Sequence, residues 1–160
     1  MTATAPGSPA FSGFPENTPS SVAGALLPQT VEAMRVACRD AWHQGLLSGC
    51  NGNASLRLPE PHAGLICLTR SGAAKGRLGA TDCCLVRLQD GVTLQGGPAS
   101  TESGMHLEIY RAAPDCAAIL HSHPRCLLAL SLRLGGNSKE FLQMPLFEAE
   151  AWSARLGFAP

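Results

Sequence analysis

The chain has 160 residues, room for one domain, and at 45% hydrophobic and 15% charged residues it can fill a core. Twelve basic residues balance twelve acidic ones, so no excess charge points to nucleic acid or a membrane surface as a partner. No apolar run approaches the ~20 residues of a membrane helix, and the N-terminus lacks the basic-then-apolar pattern of a secretory signal.

Residues 1–27 are rich in Ala, Pro, Ser, Gly and Thr and nearly free of charge, which predicts a flexible leader. A helix is expected from about Pro28 to Gln44. Val31, Met34, Cys38, Ala41 and Trp42 recur at three- and four-residue spacing and make one apolar stripe. Pro28 suits a first helical turn and Gly45 a stop.

The Asn51-Gly52-Asn53 cluster reads as a tight turn entering a strand through Arg57. Gly64 to Thr69 reads as a second strand, followed by a glycine-bearing loop, Arg70 to Gly76. A third strand, Cys84 to Leu88, turns at Asp90-Gly91 into Val92-Thr93-Leu94, a hairpin. A helix is expected from Glu102 to Ala112, capped by Ser100 or Thr101 and packed through Met105, Leu107, Ile109 and Tyr110. Ala117 to Leu120 reads as a buried strand, with a short helix over Pro124–Leu132 after it.

Seven cysteines are present, an odd count, mostly in apolar settings and without a CxxC pair. That predicts reduced thiols in a cytoplasmic protein rather than a disulfide framework. Adjacent Cys83 and Cys84 would point to opposite faces of a strand, so they suit no shared metal.

His121 and His123 lie two apart at the end of the apolar strand. Residues i and i+2 of a strand share a face, so the two imidazoles could chelate one metal ion, Zn²⁺ being a standard choice. Two surface histidines at a strand end are the alternative.

Four segments occur in order: Gly52-Asn53-Ala54-Ser55-Leu56-Arg57, Thr69-Arg70-Ser71-Gly72, Ser100-Thr101-Glu102 and His121-Ser122-His123. From Val31 to Pro160 the chain resembles the class II aldolase/adducin family, the zinc sugar-phosphate aldolases related to L-fuculose-1-phosphate aldolase. The resemblance implies an α/β fold, a mainly antiparallel central sheet with helices on both faces, over residues 28–160. It implies that His121 and His123 hold zinc and that Glu102 moves protons to and from the reacting carbons. It also implies that Asn53, Ser71, Gly72, Ser100 and Thr101 cradle a substrate phosphate. Glu102 could instead merely complement a helix dipole, and Asn53 and Gly72 could be turn residues.

The family's Pro is Arg70 here and its second Ser is Thr101. Arg70 either contacts an anion or is solvated. The Lys75-Gly76 loop looks more like the methylthioribulose-1-phosphate dehydratases of the same superfamily. The family draws a third zinc histidine from a segment well beyond the His121–His123 strand, and His43, His62 and His106 lie in the wrong places to replace it. The chain is therefore expected to be C-terminally truncated relative to the family. His106, one helical turn past Glu102, reads as a structural or supporting histidine.

These implications define a zinc-dependent aldehyde-lyase that cleaves a ketose 1-phosphate through an enediolate, in a homo-oligomer, a tetramer in the family. Dehydration of methylthioribulose 1-phosphate and sugar-phosphate epimerisation are the enzymatic alternatives. A non-catalytic adducin-like interaction domain is the other.

Overall fold

The computed structural model describes residues 28–133; the leader expected over 1–27 and everything after 133 lie outside the described residues. Helix α1 spans Pro28–His43 and buries Val31, Met34, Cys38 and Ala41, the expected stripe. Trp42 departs from it and is 44% exposed. One residue on from Ala41 is about 100° around the helix, which carries Trp42 off the stripe. Its ring lies over Gly76 instead, where a Cβ would come within 2.8 Å of it.

The strands are β1 Asn53–Arg57, β2 Leu65–Thr69, β3 Cys83–Arg87, β4 Thr93–Gln95 and β5 Ala118–His121. They form one sheet in the order β4-β3-β2-β1-β5. Every neighbouring pair is antiparallel. Period-two alternation divides the residues between two apolar clusters. Leu65, Cys67, Cys83 and Leu85 join Val31, Met34 and Cys38 of α1 on one face. Ile66, Leu68, Cys84 and Val86 join Leu107 and Tyr110 on the other. Those last two belong to α2, Ser103–Ala112. The sheet thus carries a helix on each face, as expected, and Cys83 and Cys84 separate onto opposite faces. Ile66 and Leu68 are wholly enclosed, each such side chain contributing about 1.5–3 kcal/mol by leaving water.

The β3–β4 hairpin turns where expected. Gly91 takes φ +75°, and Asp90 both receives the Val92 N–H at 3.0 Å and pairs with Arg87 at 2.7 Å. Two expectations about burial change. In α2 the inward residues are His106, Leu107 and Tyr110, while Met105 and Ile109 are on the outer side. β5 is half-exposed rather than buried, with Leu120 45% exposed. The reason is position: among the described residues β5 pairs only with β1, at the end of the sheet. Helix α3, Arg125–Arg133, follows it. The cysteines are free thiols, and no described helix is long and apolar enough to cross a membrane.

Candidate active site

β1 turns Asn53, Ser55 and Arg57 toward α2, while Ala54 joins the α1 side. Two residues of strand advance about 6.6 Å and four residues of helix about 6 Å. Glu102, His106 and Tyr110, four apart, therefore stay in step with Asn53, Ser55 and Arg57, two apart. Arg57 donates to the Tyr110 carbonyl at 2.9 Å and stacks over its ring at 4.7 Å. Tyr110 and Ser55 hydroxyls bond at 2.8 Å, and Ser55 Oγ meets His106 Nδ1 at 2.7 Å. His106 Nε2 bonds the Asn53 carbonyl oxygen, and the Asn53 amide donates to Glu102 Oε2. The bond to a carbonyl makes Nε2 the protonated nitrogen, so Nδ1 accepts from Ser55. Burial pushes His106 down to about 4, which keeps the imidazole neutral. His106 is thus the supporting residue its spacing suggested.

The carboxylate of Glu102 ends this chain of bonds and begins the next group. His121 Nδ1 lies 2.9 Å from Glu102 Oε2. His123 lies two residues beyond the end of β5 and not on the strand, so the loop after His121, and not strand alternation, brings its ring centroid to 4.6 Å from that of His121. One potential ligand atom from each of Glu102, His121 and His123 lies within 4.8 Å of the others. Two imidazoles and a carboxylate are a donor set that suits a divalent ion such as Zn²⁺. Burial pushes the Glu102 carboxyl up, but the Asn53 hydrogen bond and the neighbouring His121 outweigh it and hold it below its ordinary value. Glu102 is therefore ionised at neutral pH. His43 sits at the end of α1 and His62 in the β1–β2 turn, and neither joins this group.

A pocket of about 290 Å³ opens beside the carboxylate. Asn53, Ser71, Gly72, Ser100, Thr101, Glu102 and His123 all line it, so every expected site residue except His121 does so. Ser100 is buried and its hydroxyl takes the Glu102 N–H at 3.3 Å, while Glu102 itself occupies the N-cap position of α2. Neither Ser100 nor Thr101 caps that helix with its side chain. Gly72 adopts φ +73° with open space around it, so the backbone conformation requires glycine there. Gly52 is constrained twice: φ is +74°, and a Cβ would stand 2.5 Å from the His121 carbonyl oxygen.

Cys50, Asn51, Arg70 and Lys75 also line the pocket. Arg70 donates to the Thr81 carbonyl at 2.9 Å, and its guanidinium lies where a Cβ on Gly97 would fall. Lys75 is the residue the sequence reading did not place. It is only 2% exposed, against the strong habit of lysine. The sequence hints were its place in a glycine-bearing loop between two apolar segments and the likeness of the Lys75-Gly76 loop to the dehydratases.

Residues 32–154 match the family model for the class II aldolase and adducin N-terminal domain. The chain belongs to this family. Among curated relatives it is similar to the methylthioribulose-1-phosphate dehydratase of Serratia proteamaculans (strain 568), 38% identical over 96 residues, covering 59% of this chain and 45% of that one. Among solved structures it is similar to L-fuculose-1-phosphate aldolase from Thermus thermophilus, with 36% identity and TM-score 0.55, covering 67% of this chain and 52% of that one. A sugar-phosphate aldolase from Thermotoga maritima matches at TM-score 0.64 and 20% identity, covering 78% and 66%, a likeness of fold alone. The chain spans under half the length of the curated relatives it matches. The family fold agrees with the antiparallel sheet and flanking helices described above.

Proposed function

We propose that the chain carries the proton-transfer and metal-binding part of a lyase site acting on a ketose 1-phosphate, with dehydration of methylthioribulose 1-phosphate as the reaction. The observation that carries this reading is the cluster of Glu102, His121 and His123 beside a pocket lined by Ser71, Gly72, Ser100 and Thr101. Glu102, His121 and His123 would hold a divalent ion, which would supply Lewis acidity there. The ionised Glu102 accepts the proton from the carbon beside the ketone, and Asn53 fixes the carboxylate for that transfer. The hydroxyls of Ser71, Ser100 and Thr101 and the backbone at Gly72 hold the phosphate. The electron pair released at that carbon expels the hydroxyl one carbon further on, which leaves as water with the proton returned by Glu102, and the enol that remains tautomerises to the diketone.

The likeness to methylthioribulose-1-phosphate dehydratases supports elimination. Aldol cleavage is the second reading, favoured by the 36% identity to an L-fuculose-1-phosphate aldolase. Both begin at the same carbonyl and differ in whether a C–O or a C–C bond breaks. The test offers both substrates in parallel to the zinc-loaded protein and follows diketone formation and aldehyde release. Diketone formation that falls about 10²–10⁴-fold in Glu102→Gln is the expected result. Activity unchanged by that substitution removes Glu102 from the chemistry. Aldehyde release alone replaces dehydration with aldol cleavage.

A further inference from the structure

Lys75 is among the most deeply enclosed large side chains of the described residues, at 2% exposure. Its ammonium donates to the Ala73 carbonyl at 2.7 Å and the Cys50 carbonyl at 3.1 Å. None of the ion pairs among the described residues involves it. An ammonium has three donors, so one remains beyond these two carbonyls.

Tying two loops together by their carbonyls needs only a neutral donor. Burying a full positive charge for that task carries a desolvation cost which carbonyl dipoles offset only in part. Burial indeed weighs most on Lys75 and holds it below the ordinary lysine value, even with Asp82 and Glu102 close enough to oppose the shift. The missing counter-charge has an obvious place, because Lys75 lines the same pocket as Ser71, Ser100 and Thr101. A second cation stands at that pocket. Arg70 lines it, and its Nε is buried without a hydrogen-bond partner.

We propose that Lys75, together with Arg70 on the same pocket, is the charge partner of a phosphate group bound there, so that the site selects a phosphorylated ligand by ion pairing and not by hydroxyl contacts alone. The inference rests on the reading of the pocket as a phosphate site. A bound phosphate monoester gives Lys75 the counter-charge it lacks and engages its third donor. It also offers acceptor oxygens to the guanidinium and the hydroxyls.

The probe is inorganic phosphate, titrated into metal-free wild-type protein against chloride at matched ionic strength. Calorimetry reads affinity and ¹⁵N-lysine NMR reads Nζ directly. The expected result is saturable binding with a shift of the Lys75 Nζ signal, and an affinity about 10–100-fold weaker in Lys75→Gln. Lys75→Arg, which keeps the charge, is expected to retain most of the affinity. Phosphate that binds wild type without moving the Nζ signal overturns the proposal, whether or not Lys75→Gln folds. Equal affinity in wild type and a folded Lys75→Gln overturns it too and leaves Lys75 a loop staple, with the phosphate reading intact. A wild type that ignores phosphate altogether overturns both.

Discussion

Asn53 and His121 face each other across the β1–β5 ladder, and both reach the same oxygen, Oε2 of Glu102. Residues 49 and 19 positions away in sequence thus converge on one carboxylate. The register of one strand pair fixes the distance between two of these three groups. Replacing Asn53 by Leu leaves the carboxylate and the buried His106 Nε2–H without their partner. A loss of about 1–3 kcal/mol in urea-unfolding free energy is expected. An unchanged midpoint would show that water replaces the amide freely.

Metal content follows from the cluster. Wild-type protein dialysed against zinc should retain more of it than a His121→Ala/His123→Ala double variant, by elemental analysis. Equal content in the two would exclude these histidines as ligands. Glu102→Gln should weaken retention less than the double change, since it removes one of three ligand groups.

His106 gives the fold a calculable acid sensitivity. Its value drops from 6.5 to about 4 on burial. Below 6.5 the unfolded chain takes up a proton that the buried imidazole refuses. Its contribution is therefore complete above pH 6.5 and is lost as pH falls toward about 4. At 1.36 kcal/mol per unit the loss is about 3 kcal/mol. His106→Gln keeps an amide donor and cannot titrate. Unfolding free energy measured across this window should fall less steeply for the variant than for wild type, and parallel curves would count against the assignment.

Gly52→Ala tests the close approach of the loop to β5. The added methyl meets the His121 carbonyl oxygen at 2.5 Å in a backbone conformation alanine avoids. The expected outcome is a stability loss of more than about 1 kcal/mol, the cost of positive φ alone, together with weaker zinc retention because His121 must shift. A variant with wild-type melting and metal content would show the approach to be relaxed.

Thiol labelling separates the cysteines by burial. Cys50 and Cys126 are exposed, whereas Cys38, Cys67, Cys83 and Cys84 are buried. Burial also pushes the Cys38 and Cys84 thiols up to about 11, far from the reactive thiolate. Maleimide should modify Cys50 and Cys126 in the native protein and reach the buried four only after unfolding. Prompt modification of Cys38 would contradict the core described here.

By itself the sequence determined the elements and the family. The stripe of Val31, Met34, Cys38 and Ala41 defines α1, and the apolar run that leads into His121 defines β5. The ordered segments around Asn53, Ser71, Glu102 and His121 carry the family. All of these are local signals, because side-chain direction repeats every 3.6 or two residues and needs no distant partner. Only the tertiary structure decided what crosses between elements. It placed Asn53 between His106 and Glu102, drew Ser55 and Tyr110 into the same hydrogen-bonded line, and enclosed Lys75 in the pocket lining. It also left β5 half-exposed and turned Met105, Ile109 and Trp42 outward. Burial depends on which elements pack against a residue, and that is set by contacts between segments some fifty positions apart, as for Ser55 and His106.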